Sequence, residues 1–308
     1  MSRFKEWLED VDPYTIQRGA LHKALFIATV IVYVYWFCLP VDYMSFILPF
    51  FMLSLYETPI LSNFKKKEQL LIFISISVIV ISVSFYLIYP FRGTFFFYSL
   101  LVLSVLYVLV LRHFYALKNL VMFTLSIGTI VLATEPEGNL QIAYGFVSSI
   151  AISTMAAMIC LRIFPNQYLR VWNRALQGFI KYFEQDIENA LLENHKKTTK
   201  EAIVHFEMLR NYQRLVGKKY LLPSYKMAVY IRNIQLSLDN LYYENKNEVF
   251  WRSIKNNLHQ LRMNMEEYIP CAPPHMDFLP ETRLQRYALD CLTRALIHWN
   301  NICALRNS

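Results

Sequence analysis

Glycine is scarce, with seven residues in 308, and neither GxxxxGK[ST] nor GxGxxG occurs. The backbone loops that cradle nucleotide phosphates are therefore missing. HExxH and GxSxG are missing too, and no acidic pair is spaced as a metal site, so the sequence predicts neither an enzyme nor a bound cofactor or metal. The five cysteines form no CxxC and no pairing with histidines, which excludes a disulfide framework and a structural zinc. They read as small apolar side chains, buried or facing lipid. Charge is also thin, 18% of residues against roughly a quarter in soluble chains. No basic cluster interleaved with exposed aromatics stands out, so nucleic acid is not an expected partner.

What the chain has instead is apolar length, with 55% hydrophobic and 16% aromatic residues. The charges divide it in two, about 12% of residues up to Leu161 and about 24% beyond. A helix needs about 20 mostly apolar residues to cross a bilayer, and six runs qualify: Ala24–Val41, Tyr43–Leu61, Leu70–Tyr89, Gly93–Leu111, Asn119–Thr134 and Gly138–Leu161. Acidic residues precede the first run and no small-residue cleavage site follows it, which argues against a signal peptide.

Short cytoplasmic loops collect Lys and Arg. One set of run ends carries Arg18, Lys23, Lys65, Lys66, Lys67, Arg112, Lys118, Arg162 and Arg170, whereas the other carries only Arg92 beside Asp42, Glu135 and Glu137. The expectation is a multi-pass protein of a bacterial inner (cytoplasmic) membrane with both termini in the cytoplasm. The net charge of +8 suits contact with anionic lipid.

Residues 1–23 read as a cytoplasmic lead-in, amphipathic over Phe4–Leu21 with Trp7, Leu8, Tyr14 and Ile16 as its apolar residues. Residues 24–164 read as the six-span domain and 165–308 as a cytoplasmic helical domain, so the fold class is all-α throughout. In the second half Leu169, Trp172, Leu176, Phe179, Phe183, Ile187 and Ala190 are spaced by threes and fours, the stripe of a long amphipathic helix. Four more helices are predicted, at about 198–220 (ended by Pro223), 224–243, 247–268 and 281–305. Pro270 to Pro280 is read as a linker. Short connections between long helices imply an antiparallel bundle.

The candidate functional residues lie in the apolar half. Glu57 sits inside the second run, where a charge is costly. It is a candidate for proton coupling, or else a helix-end carboxylate reaching headgroup water or Lys65 to Lys67. Lys23, Arg112, His113 and Lys118 gather at inner ends, as lures for an anion or as ordinary positive-inside markers, and His113 can titrate near neutrality. Gly145, Ser149, Ser153 and Ala157 recur every four residues, a small-residue stripe that lets helices approach closely, either within the chain or between copies. Ser75, Ser77, Ser82 and Ser84 could line a polar pathway or bond back to their own helix. His195, His205, His259, His275 and His298 stand singly and read as structural or solvated.

The basic lead-in Gln17 to Phe26, a tight turn at Pro40 to Tyr43, the segment Leu53 to Pro59, the basic loop Asn63 to Gln69 and the exit Leu161 to Pro165 together resemble the layout of the fusaric acid resistance and aromatic acid exporter superfamily. The plant aluminium-activated malate transporters share that layout. The resemblance implies transport of aromatic or other organic acids, by export or through a passive channel gated by the helical domain, with a small organic anion and membrane lipid as partners. Those exporters commonly carry the unit twice, so one unit here implies a homodimer. A non-transporting membrane anchor for a partner protein is the third reading.

Overall fold

The computed structural model describes residues 7, 11–39, 46, 64–113, 140–164, 167–192, 199–241, 247–274 and 280–307. Among these the only regular structure is helix, and the contacts divide the chain into two units, residues 16–165 and residues 1–15 with 166–308. The sequence places boundaries after residues 23 and 164, and the contacts divide the chain after Thr15 and Pro165. Among the described residues the amphipathic lead-in over Phe4–Leu21 is not one element. Asp12 to Thr15 forms a turn in which Thr15 N–H donates to the Asp12 carbonyl at 3.1 Å and Thr15 takes a left-handed φ of 59°. Everything from Ile16 belongs to the first apolar helix. An apolar 18-mer was enough to set the span, but Ile16, Ala20 and Leu21 extend its pattern backward past Lys23.

In residues 16–165 four helices are described: α1 (Ile16–Cys38), α2 (Phe64–Ile88), α3 (Arg92–His113) and α4 (Leu140–Ile163). All four are long and apolar enough to cross a membrane. Many of their large apolar side chains face outward, Phe37 at 86% and Tyr144 at 76% exposure being the extremes. Such a surface is stable only against lipid or protein, so this is a membrane unit. The expected second and fifth spans lie outside the described residues, apart from Phe46, which is helical, buried and set edge-on to Tyr35.

Helix α4 packs on both α1 and α2, and α2 packs on α3. The α2–α3 hairpin closes on Phe85 against Phe95 and Tyr98. The stripe Gly145, Ser149, Ser153, Ala157 is buried on α4. It is therefore used inside the chain, which removes it as a contact between copies. Small side chains there let the helices close up where lipid offers no hydrophobic drive for association.

The other unit holds α5 (Tyr168–Leu191), α6 (Thr199–Gln213), α7 (Lys218–Leu241), α8 (Glu248–Glu267) and α9 (Arg283–Asn307). The predicted stripe of α5 is buried from Trp172 to Ala190, with Leu169 packed at its edge, so this face too is used within the chain. Helix pairs run antiparallel. Glu188 meets Lys255 while Asn173 Nδ2 donates to the Met265 carbonyl at 2.8 Å, fixing α5 against α8. Lys219 Nζ donates to the Leu305 carbonyl while Tyr230 stacks on His298, fixing α7 against α9. Helix α8 starts on Asn247, whose side chain accepts from Phe250 N–H, and stops at Tyr268 in the left-handed region, the usual start and stop signals of a helix.

Pro223 does not end the second helix of the bundle. The break comes earlier, at 214–217, because Leu215 and Val216 turn inward to join the buried apolar residues and Gly217 follows. Pro223 then lies inside α7 near its start, where one forgone backbone bond is tolerated better than in mid-helix.

Gly178 is the single glycine of α5. A Cβ there would come within 2.6 Å of the His205 ring, whose Nδ1 is 2.7 Å from the Tyr14 hydroxyl. Helix α6 can lie this close, and hold the N-terminal turn, only because the side chain is missing. Gly178→Ala is expected to displace His205 and release Tyr14. Because alanine favours the helix by about 1 kcal/mol, the melting midpoint should change little while amide exchange at Tyr14 and Thr15 rises severalfold. Unchanged exchange would mean that the turn is held otherwise.

Burial, then the positive charge of Lys226, holds the His298 imidazole below its ordinary range. The unfolded chain therefore binds this proton more readily than the folded one. The contribution is neutral above about pH 6.5 and becomes destabilising as the pH falls below it. His298→Gln should flatten the fall in melting midpoint between pH 7 and 5; an equal slope in both proteins would assign the acid sensitivity to another group. Burial likewise pushes the Cys271 and Cys291 thiols up and Cys303 to about 11. All five cysteines are free, Cys38 alone being exposed, as expected of small apolar side chains.

Candidate functional site at one end of the membrane unit

Helix α2 begins with Phe64, so Lys65, Lys66 and Lys67 lie in its first turn and not in a loop. A helix N-terminus repels cations, and three lysines there work against the helix. Lys67 is nevertheless fully buried, and Lys23 on α1 is 5% exposed. Among the described residues of this unit, these two are the charged side chains withdrawn from the surface.

Both belong to the same end of the unit. Lys23 Nζ lies 5.6 Å from the centre of the Phe164 ring, against which Phe26 also packs. Arg162, two residues before Phe164, reaches Glu68 at 3.4 Å. Glu68 follows Lys67 directly. The end of α3 belongs here as well, since the opposite ends of α2 and α3 meet through Tyr89 and Phe95. It brings Arg112 and His113, both exposed, with His113 Nδ1 3.1 Å from the Leu109 carbonyl. Lys23, Arg112 and His113 thus share one end with Lys67, whose burial the sequence did not reveal. Glu57 and Lys118 lie outside the described residues.

From Lys67 a line of hydroxyls runs inward along α2 and α4. Ser75 and Thr154, both buried, are hydrogen-bonded at 3.0 Å across the two helices. Ser82, about 10 Å further along at 1.5 Å per residue, is fully buried and its Oγ has no partner. On α4, Ser149 donates to the Gly145 carbonyl at 2.7 Å and Ser153 to that of Ile150 at 3.2 Å, while on α2 Ser84 bonds back to Ile81. Back-bonding is thus the rule for the serines of α4, whereas on α2 Ser84 follows it and Ser75, Ser77 and Ser82 do not. A buried hydroxyl left unbonded costs about 1–3 kcal/mol, which marks the Ser82 level as a place where a polar group would be welcome.

The arrangement can draw an anion to the buried ammonium groups and offer it neutral donors beyond them. Only Glu68 supplies a carboxylate among the described residues of the unit, and it is engaged with Arg162. No His/Cys/Asp/Glu cluster able to hold a metal occurs among the described residues. In the bundle, His205 and His259 have structural partners, His259 beside the buried Glu184 at 3.2 Å; His195 and His275 lie outside the described residues. Comparison with protein-family models, curated proteins and solved structures found no match.

Proposed function

We propose that the chain moves organic anions across a membrane, with aromatic or other carboxylates as the substrate class. It does so as a six-span protein of a bacterial inner membrane with both termini in the cytoplasm. The observation that carries this reading is the burial of Lys67 and Lys23 at one end of an otherwise apolar unit. A buried ammonium in a membrane protein is costly and is kept where it meets a charge. The layout shared with organic-acid exporters points to the same substrates. Assembly as a homodimer restores the second unit those exporters carry, through a surface other than the α4 stripe.

Two modes of movement differ in one residue. Proton-coupled export uses Glu57 as the group that takes and releases the proton. Passive conduction needs only cations and hydroxyls, and that is the chemistry along α2 and α4, which favours the channel as the second reading. Flux of labelled benzoate into vesicles carrying the purified protein separates them. Uphill movement driven by a pH gradient, lost in Glu57→Gln, supports the exporter; downhill flux that follows the membrane potential supports the channel. Flux no faster than in protein-free vesicles rejects transport, and leaves the membrane-anchor reading.

A further inference from the structure

Helix α7 is apolar on two faces, and folding uses one of them. Met227, Ile231, Ile234 and Leu238 are buried in the core of the helical unit. On another side Leu222, Tyr225, Val229 and Leu236 are exposed. Their spacing of three, four and seven residues holds them within an arc of about 60°, a straight stripe about 21 Å long. An apolar stripe left outside the core marks a contact that folding of the unit does not supply.

Cations border this stripe. By the turn of the helix, Lys226 falls on one edge and Arg232 on the other, while Lys218 stands in line with it one turn before Leu222. All three are exposed. Lys219, next to the Lys226 edge, donates to the Leu305 carbonyl, and the Arg232 guanidinium lies 4.6 Å from the centre of the Phe206 ring. Neither a carbonyl nor a ring cancels a charge, and none of the four cations forms an ion pair among the described residues. Asp239, the one carboxylate of α7, is half-buried and lies outside the arc.

The charge decides between occupants. A second copy meeting this face about a two-fold axis would set four cations against four. An anionic bilayer surface suits both halves of the pattern: apolar side chains enter the boundary between headgroups and acyl chains, while Lys and Arg at the rims meet lipid phosphates. Tyrosine is at home at that depth. The bilayer is also close at hand, because the chain joins the helical unit to the membrane unit at residues 15–16 and 165–166, which raises the effective concentration of lipid.

We infer that the exposed face of α7 docks on an anionic lipid surface, with Leu222, Tyr225, Val229 and Leu236 in the headgroup boundary and Lys218, Lys226 and Arg232 on lipid phosphates. Such docking requires the membrane unit but no transport, and is independent of the anion path.

The test places a nitroxide at Val229→Cys in the full chain, with Cys38→Ser removing the exposed thiol. Its relaxation is read with oxygen, which concentrates in lipid, and with a water-soluble nickel chelate. The protein is held in nanodiscs of phosphatidylcholine with or without phosphatidylglycerol, and Val249→Cys, exposed on α8, is the control. With phosphatidylglycerol the oxygen-to-nickel ratio at Val229 is expected to be severalfold above that at Val249. Without it, or with Lys218→Gln, Lys226→Gln and Arg232→Gln combined, the ratio should fall to the Val249 value, since each basic residue near an anionic surface contributes about fivefold in binding. The melting midpoint of the triple variant in detergent should be unchanged, and the change of lipid tests the same point with the cations in place. Three results would overturn the assignment: nickel access at Val229 equal to that at Val249 with phosphatidylglycerol present, low access of both reagents, which means that protein covers the face, or a ratio indifferent to lipid charge.

Discussion

Trp299→Ala is expected to cost the helical unit about 4 kcal/mol, within the usual range for truncating a buried tryptophan, and to lower its melting midpoint by about 10 °C. Trp299 is fully buried in α9. Its indole N–H donates to the Ile269 carbonyl at 2.9 Å and its ring packs on Tyr268 at 5.6 Å. The truncation would open a cavity and also leave the carbonyl just past the left-handed end of α8 without its donor. Trp172 provides the contrast. It is equally buried, but its indole N–H has no partner, so Trp172→Phe removes an unsatisfied donor and should cost about 1 kcal/mol. Melting of the full chain in detergent, followed by tryptophan fluorescence, measures both. Trp299→Phe, which removes the same volume as Trp172→Phe, should cost more than that substitution, and equal losses for these two would mean that volume alone matters at Trp299.

The second large effect is expected at Lys67. Lys67→Met keeps the length and apolar stem of the side chain and removes the charge. If the ammonium receives the anion, carboxylate flux should fall about tenfold or more, the loss of one charge interaction of about 1.4 kcal/mol. Equal melting midpoints of the wild type and Lys67→Met in detergent separate this loss of flux from a loss of folding. Arg112→Gln, at the same end but exposed, should change flux about twofold at most, since exposed charges are screened by salt. Equal effects at the two positions would place the recognition at the surface and not at the buried lysines.

The division into an apolar and a bundled half was legible because hydrophobic length and helical spacing are local properties. Every residue of the predicted stripe from Trp172 to Ala190 is buried in α5, but the buried face is wider and also takes in Val171, Ala175, Ile180 and Tyr182. Boundaries that depend on tertiary packing were not legible. Leu215 and Val216 continue an apolar pattern, and only their burial shows that the chain turns there; Pro223 looked like a stop and is accommodated inside α7. The lead-in was divided between two units because Tyr14 finds His205, 191 residues away, and no local pattern announces such a pairing.

The candidate sites follow the same logic. Lys23, Arg112 and His113 were visible as cations at inner run ends. Lys67 was hidden among three lysines that read as a loop, and its burial is set by where the first turn of α2 lies against its neighbours.

The central claim, that the buried cations of the membrane unit serve an anion, meets its most direct test in parallel flux measurements. Labelled benzoate and a labelled amine of the same size are offered to vesicles carrying the wild type or Lys67→Met at matched protein density. The account predicts benzoate flux well above protein-free vesicles in the wild type, at least tenfold lower in Lys67→Met, and amine flux at background in both. Benzoate flux that is equal in the two proteins, or amine flux that matches benzoate in the wild type, would contradict it.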